Sequence, residues 1–572
     1  MKVQSTRVCR SEILTEKWGR EQVADVASFC ACREVRHRRL VGRVLALLLF
    51  SAPATAADPA HAPGVRVAGA DATSWSASVC PECDLAVVGG GSGGFGAALA
   101  AARLGLQVVL VERADQLGGT SVRSGVTCWE PGVGGTGIPF DLYRRLQQIP
   151  KAVGIYSFGR HLVWFNPDAE PYRFPGGETV IDPTRRYADS LRRHGVKGLA
   201  ADEAACREHL HGVVFEPDAM SATMKAMLEE TGRCRILLNT EFRTLRAAAG
   251  RVQFLQLANG QRIVARFYVD ATGDGRLCHD AGCEAMTGQE SRDRFDEPSA
   301  PLRATNKVNG VTLIYRVASR SEAGIDPLPP DVPAKCWWRG SFPVAQMNHY
   351  PNGDLNVNML PTMDGQEFLQ RGEQASYAEC RRRVLAHWHD LQTRYEEFRR
   401  RRITWIAPAL GVRETRRFVG EYVLTERDVR GGLSQQKHPD VIAIADHSLD
   451  THGSHAHGSG ELREPYGVPY RCLIPKGYRN LLIACRAASF SSLAASSCRL
   501  SRTMIQLGQA AGTAAALAAQ RNVDLSELPP ETLRDALRAQ HVQLEHPLRE
   551  ELRQRLSTAR RTLDGIHGMW SL

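Results

Sequence analysis

Apolar runs of strand length alternate with helical patterns in the part of the chain that begins at Asp84. Residues 84–88 (DLAVV) form one such run, and 107–111 form a second. Between them, residues 95–105 (FGAALAAARLG) have the small, apolar composition of a tightly packed helix. This order predicts a strand, a turn, a helix and a second strand, which is the opening unit of a doubly wound parallel sheet.

A helix pattern at 219–230 precedes further strand patterns near 236–239, 252–257 and 262–269. Asn259-Gly260 separates the last two strand patterns, and this dipeptide favours the tight turn of a β-hairpin. We therefore expect the chain to leave the parallel sheet through a helix and to return to it after a hairpin.

The pattern changes between residues 298 and 430. Strand patterns at 311–317 and 355–359 are followed by a long charged helix pattern at 374–402. The arginines of that helix indicate a solvated face, or alternatively a patch for an anionic partner. We interpret 298–430 as an inserted α+β domain that covers a substrate.

A run of glycines follows the first strand pattern, at the point where the first helix begins. Gly89 permits a tight turn, Gly91 lets backbone N–H groups approach a pyrophosphate, and Gly94 lets the helix pack close to the strand. Glu112 ends the second strand about 20 residues later, where a carboxylate accepts hydrogen bonds from ribose hydroxyls. These residues predict a dinucleotide site, with NAD and FAD both open at this point.

Residues 132–137 (GVGGTG) also match the pattern G-x-G-x-x-G. They follow Glu130-Pro131 and not a strand, and Pro139 and Phe140 interrupt the expected helix. We therefore interpret this second run as a loop without a nucleotide.

Three further segments identify the kind of dinucleotide protein. They are Leu117-Gly118-Gly119-Thr120-Ser121, then 268–275 (YVDATGDG), and finally the ordered C-terminal segments 468–475, 480–486 and 508–512. Together they resemble the FAD-dependent oxidoreductases of the glutathione-reductase-like superfamily, in the branch described as heterodisulfide-reductase-A-like. The resemblance covers roughly residues 84–520.

The resemblance implies an α/β fold with a doubly wound parallel sheet, assembled from discontinuous segments, and FAD as the cofactor. It implies FAD-binding domain parts at 84–297 and 431–520, around the inserted domain, with a helical extension at 521–572. Ser501 is expected to be the N-cap of a helix that stabilises reduced flavin. The predicted cofactor-binding residues are Gly89, Gly91, Gly94, Glu112, Gly119, Thr120, Phe242, Gly273, Asp274, Arg486 and Arg499.

Two regions supply candidate catalytic residues. Arg413 is suited to hold a substrate carboxylate, although pairing with a neighbouring acid is an equally ordinary role for it. Asp450-Thr451-His452 resembles a D-x-H triplet of the family, so His452 is a candidate base or substrate-orienting group with Asp450 beside it. A structural loop and a metal site remain alternatives for this His-rich stretch, in which we predict no metal.

Cysteine usage leaves several interpretations open. Cys80-Pro81-Glu82-Cys83 is compatible with a structural disulfide, with unpaired thiols or with a metal or redox relay. Where the family usually has AGR, this chain has Ala484-Cys485-Arg486, so a thiol stands near the expected flavin or fills a gap. The spacing needed for an iron-sulfur cluster is absent from the sequence.

The N-terminal residues 1–57 have the order of an export signal. Basic residues at 37–43 precede an apolar stretch at 44–50 and the Ala54-Thr55-Ala56 cleavage signal. We expect cleavage, an exported periplasmic or extracellular protein, and a true start near 37–41. Arg38-Arg39 also permits twin-arginine export.

Charge excludes one class of partner. Of the formal net charge of +10 on 572 residues, half lies in residues 1–57, and the rest is spread too thinly for a nucleic-acid interface. The sequence shows no second unit for a nicotinamide and no apolar run long enough to span a membrane. We expect an FAD-dependent oxidoreductase that acts on a small molecule and passes electrons to oxygen, a quinone or a redox partner. A flavoprotein that only docks a redox protein is the alternative, and the oligomeric state is not predicted.

Overall fold

The computed structural model describes most of the chain from Cys83 onward. The described residues are 83–129, 133–156, 163–165, 212–343, 345–451, 462, 464–552 and 554. Several predictions concern residues outside these ranges, namely those on the leader (1–57), Cys80, Gly132, His452, His455 and His457.

A five-stranded parallel sheet is the centre of the fold. Its central strands are mostly buried and apolar, as expected for a parallel sheet that is covered on both faces, whereas the edge strand Cys234–Leu237 is half-buried and carries the exposed Arg235. They come from widely separated parts of the chain, which confirms the predicted α/β fold built from discontinuous segments. In spatial order the strands are Leu481–Ile483, Ala265–Asp270, Cys83–Val88, Val108–Val111 and Cys234–Leu237.

Two helices rich in small residues pack against each other beside this sheet. They are Ser92–Arg103 and Ser501–Arg521. A Cβ atom at Gly508 would lie 1.9 Å from the carbonyl oxygen of Gly93, so the two backbones touch where only glycine fits. The N-cap of the second helix is Leu500, so the prediction of Ser501 as N-cap was wrong by one residue. Ser501 is the first residue of the helix, and no side chain caps the N-terminus of the helix.

A five-stranded sheet with antiparallel pairing forms a second layer and has its own apolar core. The buried members of this core lie between Val311 and Leu410, and include Tyr315, Val357 and Trp388. The predicted inserted domain contains this whole range. In spatial order the strands are Arg401–Ile406, Ile314–Ser319, Leu355–Met359, Ala345–His349 and Val163–Phe165.

The long helix expected at 374–402 is shorter than predicted. It spans Glu373–Arg394, and Tyr395 then takes an extended conformation with φ −129°. Arg401–Ile406 forms a strand because it pairs with the strand Ile314–Ser319, and such a distant partner leaves no mark in local charge spacing. The interpretation of the helix arginines as a solvated face also fails at Arg383, which is buried and paired with two glutamates.

The hairpin prediction is confirmed with one change. Arg251–Leu257 and Arg262–Ile263 are antiparallel on either side of the Asn259-Gly260 turn. The expected single strand at 262–269 is divided, because Ala265–Asp270 leaves the hairpin and joins the parallel sheet. A further strand, Phe242–Ala248, pairs antiparallel with Arg251–Leu257.

The second glycine run requires a correction. A helix, Ile138–Leu146, begins directly after Gly137, so Pro139 and Phe140 do not interrupt it. Pro139 lies in the first turn, where a missing N–H costs no intrahelical hydrogen bond. Residues 133–137, just before this helix, pack against the helix Ser501–Arg521. Ile138, the first residue of the new helix, donates its N–H to Gln509 at 3.0 Å.

The remaining elements connect these layers and extend the fold beyond residue 520. The described C-terminal part contains the helix Pro530–Ala539. Within the described residues, no helix combines the length and the apolar character needed to cross a bilayer. The other helices are Thr120–Arg123, Pro217–Glu229, Arg276–Asp280, Arg292–Phe295, Gly365–Arg371, Glu426–Gln435 and Ser492–Ser497. The other strands are Cys128–Trp129, Val153–Tyr156, Gly212–Phe215, Ala285–Thr287, Arg416–Phe418, Val441–Ala445 and Tyr466–Pro469.

Candidate active site

A cavity of about 500 Å³ lies at the carboxyl ends of the parallel strands and extends to the antiparallel sheet. Val88 and Val111, the last residues of two neighbouring parallel strands, line it on one side. Thr312, Ile314 and Asn358 line it on the other. Open α/β sheets bind ligands at this edge, so the cavity is the expected place for both a cofactor and a substrate.

Three positions of the first turn are glycine, each for a different physical reason. Gly89 has φ +100°, and a Cβ atom there would lie 2.3 Å from the carbonyl oxygen of Ala271. A Cβ atom at Gly94 would lie 1.7 Å from the carbonyl oxygen of Gly89, so the protein itself requires both glycines. Gly91 has an ordinary φ of −73°, and the nearest atom to its Cβ position is the Cα of Gly119 at 3.8 Å. The fold leaves room for a side chain at Gly91, which lines the cavity, and a bound phosphate explains why none is there.

Glu112 lies at the end of its strand and faces this turn. One carboxylate oxygen accepts the N–H of Gly90 at 2.6 Å, and the other accepts the N–H of Ala114 at 2.8 Å. These two bonds orient the carboxylate at the wall of the cavity. Each oxygen has a second lone pair, which suits it to accept a hydrogen bond from a ribose hydroxyl.

The two later glycine turns approach the first one. Gly118 donates its N–H to the carbonyl of Gly90 at 2.8 Å, and a Cβ atom at Gly119 would lie 3.0 Å from the Cα of Gly91. Gly273 has φ +85° and a Cβ position 2.8 Å from Nη1 of Arg486. Every predicted cofactor-binding residue except Gly94 lines the cavity. Thr120, Phe242, Asp274 and Arg499 are among them.

Asp270 supports the third turn from below, although sequence reasoning did not single it out as a site residue. It is fully buried, and its carboxylate accepts the N–H groups of Thr272 at 3.1 Å and Cys278 at 2.9 Å. Burial raises the pKa of Asp270, while these hydrogen bonds lower it. Its position inside the YVDATGDG motif is the signal that could have identified it.

Some buried polar atoms on the cavity wall have no hydrogen-bond partner among the described residues. They include Nε of Arg486, Oδ1 of Asn358 and Oγ1 of Thr415. Burial also lowers the pKa of Arg486. Because buried polar groups are almost always paired, these atoms indicate a polar ligand, and FAD offers phosphates and ring amide groups for such contacts. The residues present therefore fit FAD.

Arg413 lies where the antiparallel sheet closes the cavity. Its Nη1 donates to the carbonyl of Gly310 at 2.8 Å and to Oγ1 of Thr312 at 2.9 Å. Burial lowers the pKa of Arg413 to about 9, the charge of Arg499 adds to this, and Asp450 opposes it. No carboxylate of the described chain forms an ion pair with Arg413, so the alternative of a neighbouring acid finds no support there.

Asp450 reaches the cavity, but as the partner of an arginine. Nη2 of Arg499 donates to Oδ2 of Asp450 at 2.9 Å and approaches Nε2 of His447 at 3.5 Å. Asp446, from the same stretch of sequence, is buried and paired with Arg502 at 3.2 Å. Among the described residues of this stretch, Asp450 is the one that lines the cavity, and the role of His452 stays a prediction. No cluster of metal-ligating side chains occurs in the described ranges.

Sequence reasoning missed the cavity residues contributed by strands and loops. Thr312 and Asn358 belong to no motif, and Thr415 lies in the segment 411–417 that contains Arg413 but was not itself singled out; the role of all three depends on which segments meet at the cavity. Cys485 also lines the cavity and is buried, and burial raises the pKa of its thiol to about 12. The thiol is therefore neutral at ordinary pH.

Comparisons with known proteins agree with this site. Residues 84–537 match the family of FAD dependent oxidoreductases, and the chain belongs to that family. A segment of 51 residues is 49% identical to 3-oxosteroid 1-dehydrogenase of Rhodococcus opacus, but it spans only 10% of that enzyme and 9% of this chain. The protein is an FAD-dependent oxidoreductase, with FAD as its cofactor.

Two solved structures are similar to this chain at low sequence identity. A geranylgeranyl bacteriochlorophyll reductase-like protein of Thermoplasma acidophilum is 12% identical, with 85% of this chain and 99% of that chain covered and a TM-score of 0.39. The p-nitrophenol 4-monooxygenase of Pseudomonas putida is also 12% identical, with 85% and 98% covered and a TM-score of 0.36. At these values neither enzyme indicates a substrate for this chain.

Proposed function

We propose that this enzyme oxidises or reduces a small organic molecule bound in the cavity between the FAD turns and the antiparallel sheet. The observation that carries the proposal is the lining itself. One cavity has Gly91, Gly119 and Gly273 on its wall together with Thr312, Asn358 and Arg413. When bound, FAD supplies two-electron chemistry by accepting or donating a hydride at N5.

The residues of the chain would have separate tasks. The three glycine turns and Glu112 hold the nucleotide, Arg413 orients the substrate, and the apolar residues around Ile314 exclude water. A departing substrate proton needs an acceptor, for which His452 remains our candidate. The ion pair with Arg499 makes Asp450 a positioning group for this region rather than a base.

The experiment is an anaerobic titration of the FAD-loaded protein with panels of alcohols, amines and carboxylic acids, with flavin bleaching as the signal. We expect at least one class to bleach the flavin. Leu360→Trp should abolish this bleaching because it fills the cavity that Leu360 lines, whereas Leu360→Ala should not. Both variants should retain FAD.

An electron-transfer flavoprotein without a substrate pocket is the second candidate, and it predicts a different result. Electron exchange with a redox protein would then proceed at the same rate in wild type and Leu360→Trp. Small molecules would bleach neither. Oxygen, a quinone or a redox protein as final acceptor can be distinguished by adding each to the dithionite-reduced protein.

Two finer assignments accompany this proposal. The segments 468–475, 480–486 and 508–512 support membership of the heterodisulfide-reductase-A-like branch. The basic residues, apolar stretch and cleavage signal in residues 37–56 support export to the periplasm or the medium. N-terminal sequencing of the mature protein tests export, and a mature chain that still begins within residues 1–40 would contradict it.

A further inference from the structure

The part of the cavity away from the FAD turns carries an excess of positive charge. Its charged lining residues are Arg413, Arg499, Arg502 and Asp450, and Arg502 is paired with the buried Asp446. Arg499 and Asp450 form an ion pair with 2.9 Å between Nη2 and Oδ2, so their charges offset each other. Arg413 contacts only neutral acceptors in the described structure, the carbonyl of Gly310 and the hydroxyl of Thr312. A cation in such surroundings is costly unless an anion joins it.

The backbone holds Arg413 in place for such an anion. Gly411, two residues before it, exchanges two backbone hydrogen bonds with Thr312, of 2.7 Å and 3.1 Å. Thr312 in turn fixes Nη1 of the guanidinium through its hydroxyl. The arginine is thus positioned before any ligand arrives, and a guanidinium in a fixed orientation can bind a carboxylate through two parallel hydrogen bonds.

Apolar side chains line the same cavity as this guanidinium. Ile314 and Leu410 are buried lining residues, and Trp129 lines the cavity with them. Such a wall suits an apolar molecular body and strengthens the attraction between an anion and Arg413 by lowering the local dielectric.

Asn358 adds one polar group to the same wall. It pairs with Ile314 in the antiparallel register, so both side chains lie on the face that lines the cavity. Thr312 lies two residues before Ile314, just ahead of the strand Ile314–Ser319, and lines the same cavity. Oδ1 of Asn358 is buried and has no partner within the described residues.

We propose that the substrate is a small organic carboxylate, with its anionic group on Arg413, its apolar body against Ile314 and Leu410, and a second polar group directed to Asn358. This inference deepens the proposed function and rests on it.

The test uses the FAD-loaded protein and three pairs of probes that differ only in charge. The pairs are acetate with acetamide, benzoate with benzamide, and phenylacetate with phenylacetamide. Binding is measured by perturbation of the flavin absorption spectrum and by titration calorimetry, so no turnover is needed. At least one carboxylate should bind ten or more times more tightly than its amide.

Variants then assign the effect to Arg413. Arg413→Gln should weaken the bound carboxylate at least tenfold and leave its amide and the Kd of FAD unchanged. Arg413→Lys should restore part of the affinity, since it returns the charge without the planar fork. Arg427→Gln is the matched control, because it removes the same charge from an exposed pair with Asp296 and should have no effect. Asn358→Leu should weaken 4-hydroxyphenylacetate, which is phenylacetate with a second polar group, and leave phenylacetate unchanged.

Two results would overturn the inference. One is that no carboxylate binds more tightly than its amide, and the other is that Arg413→Gln leaves the preference intact. Either result is separate from failure of the proposed function, which would appear as protein that does not bind FAD or whose flavin no small molecule bleaches.

Discussion

The two sides of the cavity are built in different ways. The nucleotide side consists of a glycine turn that two further glycine turns contact, and its polar groups are backbone N–H groups together with a few side chains such as Glu112 and Arg486. The opposite side consists of side chains, Arg413, Thr312 and Asn358, carried by an antiparallel sheet and the segment after it. A backbone site is specific for the shape of a phosphate, whereas a side-chain site can change its ligand through one substitution.

This difference explains why the family shares a cofactor while its substrates are not implied by membership. Changing the nucleotide side disturbs turns that the fold needs, as the 1.7 Å approach at Gly94 indicates. The substrate side tolerates change, because residues such as Asn358 and Thr415 have polar atoms that the described fold does not use. Substitutions on the two sides should therefore have separable effects.

The largest effect is expected for Gly91→Val. The fold leaves space there, with the nearest atom 3.8 Å from the Cβ position, so the variant should fold with a Tm close to that of the wild-type apoprotein. Its side chain would occupy the place of the pyrophosphate, and FAD binding should be lost even at high FAD concentration. Circular dichroism and fluorescence titration measure both outcomes. Gly94→Ala is the contrasting variant, and it should fail to fold; an unfolded Gly91→Val protein would remove the distinction.

Glu112→Gln should have the next largest effect. The carboxylate accepts two N–H groups, and an amide can accept only one of them while its own NH₂ faces the other. Together with the loss of a charge-assisted bond to ribose, worth roughly 1.5 to 3 kcal/mol, FAD affinity should fall about tenfold to a hundredfold. Excess FAD should restore the flavin spectrum. Unchanged affinity in equilibrium dialysis would show that Glu112 serves the turn and not the ribose.

The difference between the glycine turns on one side of the cavity and the side chains on the other also decides how much could be predicted from sequence. Gly89, Gly94 and Gly273 are required by close approach or positive φ, so they produce motifs that indicated the parallel sheet and its cofactor. The errors arose where distant partners or position within an element decide the structure. Arg401–Ile406 is a strand because it pairs with Ile314–Ser319, and Pro139 fits a helix because it lies in the first turn. Asn358 was not predictable, since its cavity position depends on register with another strand.

On the substrate side, carboxylate binding should depend on pH in a way that FAD binding does not. The pKa of Arg413 is lowered to about 9 by burial, with Arg499 adding and Asp450 opposing. A lowered pKa means that the cation is present below pH 9 and is lost as the pH rises through that value, so affinity for the anion falls above it. Once the free arginine is deprotonated, the fall should approach about tenfold per pH unit. The Kd of the best carboxylate probe, measured between about pH 7 and 11, tests this; a constant Kd would mean that Arg413 keeps its proton.

The smallest effect is expected at Cys485, which lines the cavity at the end of the strand Leu481–Ile483, close to Gly273. Burial raises the pKa of its thiol to about 12, so no thiolate is present at neutral pH to interact with an oxidised flavin. Cys485→Ala should therefore change the Kd of FAD by less than about twofold and lower the stability by roughly 1 kcal/mol, as removal of one small buried group does.

Cys472→Ala is the matched control, because Cys472 is equally buried and does not line the cavity. Equal losses of stability in urea unfolding of the two variants would establish Cys485 as a space-filling residue. A long-wavelength absorption band that is present in wild type and absent from Cys485→Ala would instead place a thiolate against the flavin and contradict this prediction.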